Sequence, residues 1–298
     1  MNGLTSESWT HGWAQLDGVV LHYVEAGDPD DPLVVLLHGF PEFWYAWRNQ
    51  IEALAAEFHV VAPDLRGYNR SQKPAGIRPY RMGRLVDDVV DLIERFGAEQ
   101  ASVVGHDWGG VIALEFGHRY PERLGRLAIL NAPHPAALER ELHSPAQLVR
   151  SWYALFFQLP RVPEAILERT DGWLATLLRD DPTNPAAFDE SDIERYERAI
   201  ARPGALTAAL NYYRAVGRTE LRRRLGRDDE GEERNQTIDA RTLVIWGEQD
   251  RALGVELTEG LDRWMRDVQI EYLPEASHWV QNDAPERVNE LLEAFLDA

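Results

Sequence analysis

The 298-residue chain has no cysteine and one lysine, Lys73. The first absence excludes disulfides, thiolate metal sites and a thiol nucleophile, and it fits a cytoplasmic protein. The second leaves the basic side almost wholly arginine, and 50 acidic against 31 basic residues give a net charge of -19. Phosphate binding draws on clustered Lys and Arg, so neither nucleic acid nor an anionic membrane is an expected partner. Even the stretch from Arg218 to Arg227 adjoins acidic residues. Arginine preference with excess acid has two readings, a GC-rich genome or adaptation to high internal salt. No apolar run approaches the roughly 20 residues of a membrane span. The polar start from Met1 to His11 reads as no signal peptide, and no repeat period is visible. What is present is a 44% hydrophobic chain, enough for one large domain or a core with an insertion, as monomer or homodimer.

Apolar runs at Val19 to Glu25, Leu33 to Leu37, His59 to Pro63, Ala101 to Gly105 and Leu124 to Leu130 read as strands. Helical periods separate them: Ile51 to Phe58, the set Leu85, Val89, Leu92, Ile93 and Phe96, and Val111 to Tyr120. This β-α alternation predicts a parallel sheet. From 133 to 226 no run looks like a central strand, and aromatics gather among helical periods, which predicts a helical insertion or lid. Arg227 to Asp239, with six acidic residues, reads as a solvated linker. Strands resume at Thr242 to Trp246 and Gln269 to Leu273, around a helix near Val255 to Met265, and Glu286 to Leu296 closes the chain as an amphipathic helix. The expected architecture is an α/β core, 1–132 and 227–298, with a doubly wound sheet interrupted by the lid.

The chemistry concentrates at Gly105-His106-Asp107-Trp108-Gly109-Gly110, which reads as a nucleophile elbow carrying aspartate. Small residues are needed where the backbone folds back on itself, and Gly105, Gly109 and Gly110 supply them. Serine in such an elbow suits acyl transfer. A carboxylate suits displacement at saturated carbon and leaves an ester on the enzyme. That ester needs an activated water, for which a histidine held by a carboxylate is the usual device. Asp250 lies four residues after Trp246 and His278 five after Leu273, so both fall at the strand edge from which Asp107 emerges. The amides of Trp108 and Phe40, the latter in the strand-end loop His38-Gly39-Phe40-Pro41, would hold the tetrahedral oxyanion. His38 would support that loop. His134, between Pro133 and Pro135, is either a turn residue or a substrate contact.

His38-Gly39-Phe40-Pro41-Glu42 with Trp44-Tyr45-Ala46-Trp47-Arg48, then Asp64-Leu65-Arg66-Gly67-Tyr68, then the elbow, closely resembles the epoxide hydrolases of the α/β-hydrolase superfamily. The likeness covers nearly the whole chain and implies an α/β-hydrolase fold with an inserted helical cap. In that family two cap tyrosines hydrogen-bond the epoxide oxygen. By resemblance these are Tyr153, before Phe156-Phe157-Gln158, and Tyr213, in Leu210-Asn211-Tyr212-Tyr213-Arg214. Trp152, Phe157 and Tyr212 are further substrate-contact candidates, with packing inside the lid as the other reading. The implied reaction converts a hydrophobic epoxide and water to a vicinal diol, with no metal and no organic cofactor. Asn69 departs from the pattern, which often has glycine there.

Three other readings share parts of this set. A haloalkane dehalogenase would use Asp107 and the Trp108 indole, but Phe40 breaks its asparagine version and leaves the tyrosines unused. A haloacetate dehalogenase would need arginines where Trp108 and Val111 stand. A binding module would keep the pocket and release no product.

Overall fold

The structure, a computed structural model describing residues 9–226 and 237–297, is built on one eight-stranded sheet. Its strands are β1 (Thr10–Leu16), β2 (Val19–Ala26), β3 (Leu33–Leu37), β4 (His59–Pro63), β5 (Ala101–His106), β6 (Leu124–Leu130), β7 (Thr242–Gly247) and β8 (Val268–Leu273). They lie in the order β1-β2-β4-β3-β5-β6-β7-β8. β1 with β2 and β2 with β4 are antiparallel; every other pair is parallel.

Helices α1 (Arg48–Leu54), α2 (Met82–Arg95) and α3 (Trp108–Arg119) alternate with the early strands. Seven helices then follow β6 without an intervening strand among the described residues: α4 (Pro135–Glu141), α5 (Pro145–Arg150), α6 (Trp152–Phe156), α7 (Val162–Leu167), α8 (Trp173–Asp180), α9 (Glu190–Ile200) and α10 (Ala205–Arg224). After β8 come α11 (Val280–Asp283) and α12 (Pro285–Asp297).

The strand β3 shows why the sheet is covered on both faces. Leu33, Val35 and Leu37 enter one core while Val34 and Leu36 enter the other, a period of two in an unbroken apolar run. On the first side α2 and α3 pack through Leu85, Val89, Ile112 and Phe116; on the second, α1 and α12 pack through Ile51, Leu54, Leu292 and Phe295. Each such side chain contributes roughly 1.5–3 kcal/mol on burial, so a one-residue slip of register would be costly. The fixed register aligns Leu37 with Gly105, His106 with Leu130 and Gly247 with Leu273. The loops that leave these ends therefore meet at one edge.

The structure departs from the sequence reading in three places. β1 begins inside the polar start, where only Ala14 and Leu16 are buried while Thr10, His11, Trp13 and Gln15 are exposed, too short an alternation to read. The expected helix near Val255 to Met265 is two short 3₁₀ turns, Val255–Thr258 and Leu261–Arg263, separated at Gly260, whose φ of 70° a helix does not accept. Of the expected linker, 227–236 lies outside the described residues, and Ile238 is core: it is buried and bridges Met265.

Candidate active site

Asp107 follows β5 directly and opens α3 with φ 50° and ψ -120°, a conformation that costs of order 1–3 kcal/mol for a residue with a Cβ. The strain projects its carboxylate over the sheet edge, and two glycines make room. A Cβ on Gly109 would stand 2.0 Å from the Leu37 carbonyl oxygen, and one on Gly39 would stand 2.4 Å from the Asp107 Cβ. With no side chain at Gly39 the loop after β3 closes on Asp107. The Phe40 amide then donates to Asp107 Oδ1 at 2.8 Å, and the Trp108 amide also donates to this carboxylate. The other oxygen, Oδ2, is 3.9 Å from His278 Nε2.

His278 Nδ1 donates to Asp250 Oδ2 at 2.7 Å, which leaves Nε2 toward Asp107. Asp250 is held in turn by the amides of Ala252 and Leu253, both at 2.8 Å, and by Asn131 Nδ2 at 2.8 Å. Asn131 stands at the end of β6, has φ 37°, and accepts the Gly247 amide at 2.8 Å. Sequence reasoning passed over it because an amide there is no acid; its role is to orient one.

A buried pair lies beneath. His106 contacts Glu42 Oε2 at 2.7 Å through Nδ1 and donates through Nε2 to the His278 carbonyl at 2.8 Å. Glu42 also accepts from the Gly39 amide and from Gln281. The pair thereby joins the loop carrying Phe40 to the loop carrying His278. Glu42 was read only as part of a motif, and a carboxylate three residues beyond Gly39 is the signal that it braces the turn. His38 does support this loop, donating to the Gly39 carbonyl and accepting the Leu65 amide.

Burial raises the Asp107 pKa above the usual carboxylate value, opposed by His278, His106 and the two amides. Burial also pushes Asp250 up, but His278 and the Asn131 and Leu253 hydrogen bonds hold it below the ordinary value. For His278 burial alone would lower the pKa; Asp250 and then Asp107 more than reverse this and raise it to about 10. In the resting site the imidazole is a cation between two carboxylates.

The helical segment supplies an aromatic wall opposite Asp107. Tyr213 on α10 packs edge-on against Phe40, Trp108 and Phe157, with ring centroids 5.6, 4.9 and 5.0 Å apart, and lies 6.0 Å from the ring of Tyr153 on α6. The Trp108 side chain hydrogen-bonds Tyr213. Burial and then the Asp107 charge raise both phenol pKa values, so both stay protonated donors. Gln158 Nε2 ties the two helices together, donating to the carbonyls of Ala154 and Tyr213 at 3.1 and 3.0 Å. Gly217 leaves its space, since a Cβ there would stand 2.4 Å from Gln158 Oε1. Arg214 adds a bidentate pair with Glu164 and donates to the carbonyls of Phe157 and Leu159.

This chain matches the alpha/beta hydrolase fold family over residues 32–285. It is 41% identical over 282 residues to the AB hydrolase superfamily protein YfhM of Bacillus subtilis, covering 94% of this chain and 95% of that one. It is 37% identical over 297 residues to Epoxide hydrolase 4 of Mus musculus, covering 96% and 79%. A solved epoxide hydrolase from Bacillus megaterium, complexed with its naphthyloxy-propane-1,2-diol product, superposes with a TM-score of 0.83 at 32% identity, covering 96% of this chain and all of that one. The chain belongs to the epoxide hydrolase family.

Within this epoxide hydrolase fold three expected substrate contacts are corrected. Trp152 is 62% exposed on the outer side of α6 and reaches only Phe156 among described aromatic neighbours. His134 caps α4, accepting the Ala136 amide, and stacks on Trp264 at 4.5 Å beside His118, so it packs the base of the cap. Tyr212 is fully buried and donates to the Arg66 carbonyl at 2.7 Å, a strut between α10 and the core. Phe157 lies in the wall. Asn69 takes the left-handed conformation its position demands, with φ 37°; it donates to Asp64 and accepts from Arg202 of the cap.

Among the described residues no helix is long and apolar enough to cross a membrane.

Proposed function

We propose that this chain hydrolyses a hydrophobic epoxide to a vicinal diol through a covalent ester on Asp107, with residues 133–226 acting as the cap that presents Tyr153 and Tyr213. The observation that carries the reading is the divided Asp107 carboxylate. Oδ1 accepts the Phe40 amide, the Trp108 amide also donates to the carboxylate, and Oδ2 faces His278.

Asp107 Oδ2 attacks an epoxide carbon as the C–O bond breaks, and the phenols of Tyr153 and Tyr213 donate to the departing oxygen. The alkoxide takes up one proton. Esterification removes the Asp107 charge, one of those that raise the His278 pKa, so the imidazolium gives up a proton as the alkoxide gains one. Loss of that charge also lowers the phenol pKa values at the moment a proton is needed. Neutral His278, oriented by Asp250, then accepts a proton from water as its oxygen attacks the Asp107 carboxyl carbon. The oxyanion is Oδ1, already at the Phe40 amide, with the Trp108 amide beside it as the second donor. Collapse breaks the bond from that carbon to Oδ2 as the imidazolium returns its proton to the departing oxygen, and the new Asp107 carboxyl then gives its proton to His278; the water oxygen stays on Asp107 and Oδ2 leaves in the diol.

The dehalogenase reading is disfavoured by the Trp108 side chain, whose hydrogen bond to Tyr213 occupies the donor a halide would require. Phe40 supplies only its backbone amide. The diol held by the Bacillus megaterium relative supports the substrate class, an epoxide bearing a bulky apolar group.

The test is the intact mass of a His278→Gln variant exposed separately to aromatic and aliphatic epoxides and to matched haloalkanes. Without the base the ester accumulates, and the expected gain is the whole epoxide, mapped to Asp107 and absent in Asp107→Ala. A gain of only an alkyl group, from haloalkanes alone, would make the protein a dehalogenase. No adduct from any compound would leave a binding module.

A further inference from the structure

Gln147 on α5 is a buried polar side chain at the seam between the helical segment and the core, 3% exposed. Its amide is fully engaged as a donor. Nε2 donates to the Ala252 carbonyl at 3.0 Å and to Ser151 Oγ at 2.9 Å, and Oε1 accepts the Gly254 amide at 3.3 Å. The two main-chain partners bracket Leu253, whose amide, with that of Ala252, holds Asp250 Oδ1. One peptide unit carries the link. The Ala252 carbonyl and the Leu253 N–H belong to the same planar group, and its oxygen accepts from Gln147 while its hydrogen goes to Asp250 at 2.8 Å. Bonded at both ends, the group is polarised along its length and cannot turn without losing both partners. Without Gln147 the carbonyl loses its donor, and the unit is free to rotate its N–H off Asp250.

On its other side Gln147 holds the start of α6. Ser151, the residue before that helix, takes the Nε2 hydrogen bond on its hydroxyl and donates its own amide to the Gln147 carbonyl at 2.8 Å. Tyr153 follows two positions later. On the epoxide-hydrolysis reading given above, on which this rests, we propose that Gln147 is a positioning residue for both steps of the reaction, fixing Asp250 through the peptide 252–253 and Tyr153 through Ser151. The seating of α5 against the loop after β7 and the orientation of Asp250 are then one event. His278 is therefore aligned when the helix bearing Tyr153 is in place. The neighbouring tie to this stretch of the core is exposed: the Arg150 guanidinium meets the Glu256 carboxylate at 3.4 Å, a surface pair that contributes little.

The test is a rapid-quench single turnover with the aromatic epoxide that labels His278→Gln, in which intact mass follows the ester on Asp107 as it forms and decays. Gln147→Met keeps the volume and removes all three side-chain bonds; ester formation and ester breakdown are each expected to slow about tenfold, the scale of a small misplacement of reacting groups. Gln147→Asn, one methylene shorter, is expected to do the same and serves if the methionine variant does not fold. The loss in breakdown is expected to vanish in an Asp250→Asn background, where the anion that Gln147 places is gone, and the loss in formation to vanish in a Tyr153→Phe background. Ser151→Ala is expected to slow formation alone, and Arg150→Met to leave both steps unchanged. Equal losses in every background, unchanged breakdown in the Gln147 variants, or an Arg150→Met protein as slow as they are would overturn the proposal and make Gln147 an anchor of the helical segment only. A His278→Gln protein that takes up no epoxide at all would instead remove the reading beneath it, and that result is in hand before any Gln147 variant is tested.

Discussion

At Asp107 two oxygens of one carboxylate are given different tasks by their neighbours. Oδ1 is fixed by the Phe40 amide of the loop after β3, and Oδ2 lies 3.9 Å from His278. A label therefore distinguishes them: in a single turnover in heavy-oxygen water the enzyme is expected to gain the label and the diol to lack it, read by mass of the peptide containing Asp107. Tyr153→Phe and Tyr213→Phe each remove one donor to the alkoxide and are expected to slow ester formation by about 10–100-fold. Breakdown of a preformed ester should be nearly unchanged in stopped-flow traces, and slowing of both steps alike would assign the phenols to packing. Asp250→Asn removes the anion that orients and charges His278, so ester breakdown is expected to fall by about 10²–10⁴-fold, more than formation. The acid limit follows from Asp107. Because burial raises its pKa, ester formation is lost on acidification at a pH above the ordinary aspartate value, as the carboxylate protonates.

Among the elements, α6 and α10 matter most, because each brings one tyrosine. Their spacing is set by Gln158, which bonds both, and by Gly217, one turn beyond Tyr213. Gln158→Met keeps the volume and removes both bonds. It is expected to slow ester formation about tenfold, equivalent to about 1.4 kcal/mol, and to cost much less in a Tyr213→Phe background, where the phenol it places is gone. Equal costs in both backgrounds would mean that Gln158 serves stability alone. The strands were legible because β3 to β7 are apolar runs covered on both faces, and α2 and α12 because their apolar residues recur at helical spacing. β1 was not, since an edge strand with two buried residues carries no readable period. The turns at Val255–Thr258 and Leu261–Arg263 were misread because local apolar spacing does not report that Gly260 reverses the backbone.

On the scale of the whole molecule the charge of -19 and the buried imidazolium give opposite dependences on solution conditions. Added salt is expected to raise the unfolding midpoint at low ionic strength and then have little further effect, since screening of surface repulsion saturates within a few ångströms of Debye length. A rise continuing to molar KCl would instead support high-salt adaptation. The His278 pKa is raised on folding from 6.5 to about 10. Its ion pairs therefore contribute stability fully below about pH 6.5, and that contribution is lost as pH rises through 10. His278→Gln is expected to flatten this alkaline slope in thermal melts. By itself the sequence determined the α/β core and the placement of Asp107, Asp250 and His278 after successive strands, because strand periodicity and glycine spacing are local properties. The tertiary structure alone decided which aromatic residues face Asp107, and it turned Trp152 outward, made Tyr212 a strut and set Asn131 and the Glu42–His106 pair behind Asp107, Asp250 and His278. Those outcomes depend on which helix face meets which loop, and that is fixed by contacts between residues 64 to 146 positions apart.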